Sequence, residues 1–136
     1  MPLRTKLRAE KIGVRKTWLG SRAIWKLTAH LVYEDEKYHV IVPAGFETDF
    51  ASVPRLPLMY LLAGDTAHEA AVIHDYLYRI NGISRREADA LFYRIMLETG
   101  EPRWRAWMMY SAVRVGGWRT WNKYRAAEFT PTDWPM

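Results

Sequence analysis

Hydrophobic and polar positions alternate along the first third of the chain. Ala23, Trp25, Leu27, Ala29, Leu31 and Tyr33 share one side, with Lys26, Thr28 and His30 on the other. A period of two predicts a half-buried strand over 23–33. Residues 11–19 predict a shorter strand before it, with Gly20-Ser21 as the turn. Glu34-Asp35-Glu36-Lys37 reads as a polar hairpin loop. Tyr38 to Val42 reads as the returning strand, ended by Pro43. Residues 1–10 are polar and basic and suit an arm or an edge strand. Residues 43–57 hold three prolines and no period, which predicts a loop.

The period lengthens in the second half. Thr66-Ala67-His68-Glu69 has capping-box spacing before an apolar run, predicting a helix from Ala67 to Ile80 that Asn81-Gly82 stops. Ser84-Arg85-Arg86-Glu87 repeats the spacing and opens a helix to Thr99, with Gly100 placed as a C-terminal cap. Pro102 suits the first turn of a third helix through Trp104, Trp107, Met108, Ser111 and Val115. Gly116-Gly117 weakens or ends it, and Trp118 to Arg125 continues at an angle. Residues 128–136 form an irregular tail. These elements predict an α+β fold in one domain over 1–136. An N-terminal antiparallel sheet of about three strands precedes a unit of three or four helices.

Composition narrows the classes. The 136 residues are 49% hydrophobic and 26% charged, which is ordinary for a globular chain. The absence of cysteine excludes a disulfide scaffold, a cysteine nucleophile and a thiolate metal site. The sequence holds no apolar run of about 18 residues, as a membrane-spanning helix needs. The first residues lack the apolar core of a signal peptide. A reducing compartment such as a host cytoplasm, or a virion, suits such a chain.

The net charge of +5 is uneven: +5 over residues 1–16, −4 over 17–101 and +4 over 102–136. Basic ends around an acidic middle suit a cation site in the middle. They equally suit ends that dock on an acidic partner or an anionic lipid surface. Nucleic acid is the least favoured partner, given the acidic middle and the lack of a DNA-binding motif.

His74-Asp75 with Tyr78 is the strongest chemical constellation. Helical spacing puts His74 and Tyr78 one turn apart on one face, with Asp75 on a neighbouring stripe beside His68. A short Asn-Gly loop makes the next helix an antiparallel neighbour, and it carries Asp89. A His with an orienting carboxylate is a general-base module. Asp75 beside it suits a hard divalent cation, with Asp49 as a further ligand. The alternative reading of the same residues is a buried polar network that joins two helices. In the loop, Asp49 and Ser52 suit either turn capping or ligand roles, and Arg55 suits a phosphate or carboxylate.

Residues 103–125 hold Trp104, Trp107, Tyr110, Trp118, Trp121 and Tyr124 with six bases and no acid. Trp104, Trp107, Trp118, Trp121, Arg105 and Arg119 form a candidate partner-binding face. The alternative is a core helix with a solvated basic face.

Two resemblances follow from these motifs. The order GFETDFASVPR, AAVIHDYLYR, RREADALFYRIM resembles a domain-of-unknown-function family of tailed bacteriophages and prophages. It spans about residues 38–118 and implies a phage or prophage origin without supplying an activity. The run His74-Asp75-Tyr76-Leu77-Tyr78 is similar to the active-site helix of secreted phospholipases A2, above all bacterial ones. That similarity implies His74 as the base activating water, Asp75 as a calcium ligand, and Tyr78 with Asp89 orienting the His. The chain departs from that family in lacking its glycine-rich calcium loop and its disulfides, and in a shorter His-to-Asp spacing.

The expected function is a phage-encoded hydrolase acting on an ester or amide of the cell envelope, with Ca²⁺ as the first candidate cofactor. The alternative is a non-enzymatic tail or tail-tip component of the virion, docking on other virion proteins through its Trp/Arg-rich helices.

Overall fold

The computed structural model describes residues 7–17, 20–49, 68–80 and 82–128, with the side chains of 15–17, 20–23, 127 and 128 excepted. Two compact units divide the chain after Phe50. The first is β and the second helical. Among the described residues this is the expected α+β arrangement of an antiparallel three-stranded sheet followed by four helices.

In the first unit, β1 (Ala9–Thr17) pairs antiparallel with β2 (Gly20–Leu27). The register runs to Thr17↔Gly20, so Gly20 and Ser21 stand in β2 and not in the turn expected there. Ile12 is the extra residue of a bulge: Lys11 faces Trp25, but Gly13 faces Ile24. The sheet's third strand is the short β5 (Glu47–Thr48), paired to Trp25 and Lys26.

The expected single strand over 23–33 is two strands. β2 stops at Leu27, and a bend at Thr28-Ala29 leads to β3 (Leu31–Glu34). The break has local causes. The Leu27 amide donates to the Phe46 carbonyl, and its own carbonyl accepts from Gly45. The Ala44 amide donates to His30 Nδ1 at 2.9 Å. The returning segment 43–46 thus takes the backbone groups that a longer ladder needs. Alternation nevertheless survives the bend, since Leu27, Leu31 and Tyr33 are all buried.

β3 pairs with β4 (His39–Val42) as a separate hairpin in register Leu31↔Val42 to Glu34↔His39. Asp35 organises its loop. One carboxylate oxygen accepts the amides of Lys37 and Tyr38, at 2.8 and 2.6 Å, and the other accepts the Tyr33 hydroxyl at 2.7 Å.

The helical unit contains α1 (His68–Arg79), α2 (Arg85–Glu98), α3 (Arg103–Gly116) and α4 (Trp118–Glu128). Thr66 and Ala67 of the first expected cap, and Asn81, lie outside the described residues. The second cap is present: Ser84 Oγ accepts the Glu87 amide at 3.1 Å. α2 ends as a Schellman turn. Gly100 has φ +101, its amide reaches Leu97 O, and the Glu101 amide reaches Met96 O.

Pro102 stands just before α3, and its carbonyl accepts the Arg105 and Ala106 amides. Gly117 keeps right-handed angles, and its carbonyl accepts the Trp121 amide, so α4 follows α3 without a loop.

α1 packs on α2, α2 on α3, α3 on α4, and α4 back on α1. Ile73, Leu77, Ala88, Leu91, Phe92, Ile95, Met96, Ala106, Met109 and Val113 are buried in this unit. Eight of the twelve residues of α1 are buried, His74 and Asp75 among them. A helix this enclosed must satisfy its polar side chains internally.

Candidate active site on a helix pair

His74, Tyr78 and Asp89 are fully buried and meet at one atom. His74 Nε2 lies 2.7 Å from Asp89 Oδ1, and the Tyr78 hydroxyl donates to the same oxygen at 2.6 Å. The expected pairing across the short loop is therefore present. It arises because His74 and Tyr78 are one turn apart on α1, while Asp89 sits in the second turn of the antiparallel α2. The imidazole is fixed by rings as well: the tilted rings of Tyr78 and Phe92 lie 4.3 and 4.6 Å away between centroids.

The other oxygen of Asp89 faces two guanidinium groups. Arg114 Nη1 donates to Oδ2 at 2.7 Å, and Arg85 Nη1 stands 3.5 Å away. Arg85 also donates to the Val113 and Arg114 carbonyls at the end of α3. Four donors around one carboxylate match its lone-pair capacity.

Burial pushes the Asp89 pKa up. The hydrogen bond and charge of His74, with the bonds from Tyr78 and Arg114, outweigh burial and hold the carboxyl below its ordinary 3.8. Burial first, then the Asp89 charge, pushes the Tyr78 phenol far above its ordinary 10.0. Asp89 is thus an acceptor and Tyr78 a donor at neutral pH. When the His74 imidazole is neutral, this contact selects the tautomer with the proton on Nε2, toward Asp89.

Asp75, the other expected acidic residue on α1, is fully buried and points elsewhere. Its Oδ2 pairs with Arg79 at 3.1 Å, and the Arg79 guanidinium lies over the Tyr124 ring of α4. Among the described residues no group of three His, Asp or Glu side chains is placed to hold a metal ion. Asp49 is buried directly after β5, in the β unit. Ser52 and Arg55 lie outside the described residues.

The Trp/Arg residues divide into two sets. Trp104, Trp107 and Trp118 are 63, 59 and 49% exposed, with Arg105 over Trp104 and Arg119 over Trp118. Trp121 instead meets Tyr78 edge-on at 5.1 Å and lies under Arg125. Arg125 donates to the Tyr78 carbonyl at 2.6 Å, so α4 caps the end of α1. Trp121, half-buried, thus braces the helix pair through Tyr78.

Sequence reasoning missed Arg85, Arg114 and Gly117. Arg85 was findable, because it precedes Asp89 by one helical turn. Arg114 and Gly117 carry no local signal, since α3 brings them in from far along the chain.

The fold and site define an α+β protein whose helical unit is centred on a buried His–Asp–Tyr cluster. The model of a protein family of unknown function, DUF1353, matches residues 25–113, and the chain belongs to that family. The matched segment contains all three sequence motifs and the whole of His74, Tyr78 and Asp89. No curated protein and no solved structure matches the chain.

Proposed function

We propose that the protein is a phage- or prophage-encoded hydrolase in which His74 is the general base, oriented by Asp89 and Tyr78. Its substrate is an ester or amide of the bacterial envelope. One observation carries this reading: a single oxygen of a fully buried carboxylate receives both His74 Nε2 and the Tyr78 hydroxyl. That arrangement selects one imidazole tautomer and locks its plane, as a base requires.

In the reaction, the His74 imidazole takes a proton from water as the water oxygen bonds to the carbonyl carbon. Asp89 stabilises the imidazolium. The imidazolium then returns the proton to the leaving alkoxide or amine as the carbonyl–heteroatom bond breaks, giving acid plus alcohol or amine.

The test is hydrolysis of phospholipid vesicles and of peptidoglycan fragments by the wild type, His74→Ala and Asp89→Asn. The expected outcome is turnover of one class, reduced at least about 100-fold in each variant. Equal turnover in folded His74→Ala overturns the proposal. Titration with Ca²⁺, Mg²⁺, Mn²⁺ and Zn²⁺, repeated on Asp75→Asn, tests the expected cation separately.

A second reading is favoured by a different observation. The three polar groups are fully buried, while Trp104, Trp107 and Trp118 face outward beside arginines. In that reading the cluster fixes the helices, and the protein is a non-enzymatic virion component docking through the exposed Trp face. It predicts no hydrolysis of any class, with virion assembly lost on Trp104→Ala/Trp107→Ala.

A further inference from the structure

Asp89 is held from its far side by a helix that supplies none of the three clustered residues. Arg114 of α3 donates to Asp89 Oδ2 at 2.7 Å, opposite the oxygen that serves His74 and Tyr78. Arg114 is in turn placed by Arg85, which donates to the Val113 and Arg114 carbonyls. Three residues on, Gly117 lies against the Tyr78 hydroxyl. A Cβ there would stand 2.6 Å from that hydroxyl and 2.6 Å from the Val113 carbonyl oxygen. Gly117 has φ −78, so the need is for space and not for an unusual backbone angle.

We propose that the end of α3 is a clamp on the base module, with Arg114 as the positioning residue for Asp89 and Gly117 as the gap that admits the Tyr78 hydroxyl. The clamp acts through geometry. A carboxylate bound only on one oxygen can rotate about its Cβ–Cγ bond. Arg114 pins Oδ2 and so aims Oδ1 at both α1 donors. Any side chain at Gly117 displaces the hydroxyl or the α3 carbonyl and breaks the shared contact. Both residues lie just beyond the segment matched by the family model, so the module extends past residue 113.

The consequence for catalysis rests on the hydrolase reading. The clamp itself does not. Among the described residues, the charged and titratable groups facing Asp89 are His74 and Tyr78 from α1, Arg85 from its own helix, and Arg114 from α3.

The experiment is NMR on isotope-labelled full chain, following the His74 Nε2–H proton and the Asp89 carboxyl carbon through a pH titration. In Arg114→Met the Asp89 midpoint should rise by about one pH unit or more, because a cation that favoured the carboxylate is gone. The Nε2–H signal should broaden as Oδ1 loses its fixed direction. Arg114→Lys keeps the charge without the planar fork and should recover part of both. Gly117→Ala should weaken the Tyr78 hydroxyl signal while leaving the Asp89 midpoint nearer the wild type.

A merely structural Arg114 would lower the unfolding temperature and leave these signals in place. Unchanged signals in folded Arg114→Met overturn the clamp. Should Arg114→Met not fold, Arg114→Lys decides alone: partial shifts support the clamp and unchanged signals overturn it. Altered signals without hydrolysis of any substrate by the wild type would overturn the hydrolase reading and leave the clamp standing.

Discussion

At Asp89, one buried carboxylate takes contacts from three helices. A lone carboxylate in such a place is costly, and its partners hold it ionised. Replacing it with Ala removes the acceptor shared by Arg114, the imidazole and the phenol, and one of those that Arg85 has. Asp89→Ala should cost about 3–5 kcal/mol in urea unfolding. The sign of the pH dependence follows from its lowered pKa. The unfolded carboxyl protonates first as pH falls, so the unfolded state binds more protons. The stabilisation is present in full above the ordinary value near 4 and is lost as pH falls through the lower folded value. Unfolding free energies measured from pH 6 downward should fall below pH 4, and the fall should be shallower in Asp89→Asn. This residue and His74 were legible in the sequence because helical spacing and a short loop are local. Arg114 was not, since its approach depends on how α3 crosses α2.

At the scale of elements, caps and turns hold the helix pair in register. Ser84 caps α2 one turn before Asp89, so the start of the helix also sets where the carboxylate points. Ser84→Ala should cost about 1 kcal/mol in denaturant unfolding. Gly100 adopts φ +101 at the end of the same helix, where a side chain is strained. Gly100→Ala should lower stability by about 1 kcal/mol or more on the same measurement. Both positions were readable beforehand, because capping chemistry is written within four residues. The β unit shows the opposite case. Alternation over 23–33 indicated one strand, and Leu27, Leu31 and Tyr33 are buried as it requires, but the chain bends at Thr28-Ala29. The cause is the returning segment 43–46, whose hydrogen bonds with Leu27 and His30 no local pattern announces.

Across the whole molecule, the aromatic and basic residues of 103–125 serve two ends. Trp121 and Arg125 turn inward to Tyr78, while Trp104, Trp107 and Trp118 face outward. Trp121→Ala should therefore lower stability by roughly 2 kcal/mol, from lost packing against Tyr78. Trp104→Ala and Trp107→Ala should each stay within about 0.5 kcal/mol of wild type. Thermal unfolding of the three variants checks the division. Composition had grouped these tryptophans together, since residue type says nothing of which way a helix faces.

The sequence by itself determined the change from strands to helices, the caps of α2, the placing of His74 and Tyr78 one turn apart on a helix next to the one that carries Asp89, and the resemblance to the family. Each rests on spacing within one element or across a short loop, where periodicity sets which residues meet. Only the tertiary structure decided that Asp75 turns to Arg79, that Trp121 packs on Tyr78, and that Arg114 and Gly117 complete the cluster. These depend on helix crossings and on which partner reaches a buried charge first. That choice is made by packing between segments distant in the chain, and it leaves no periodic trace in either segment alone.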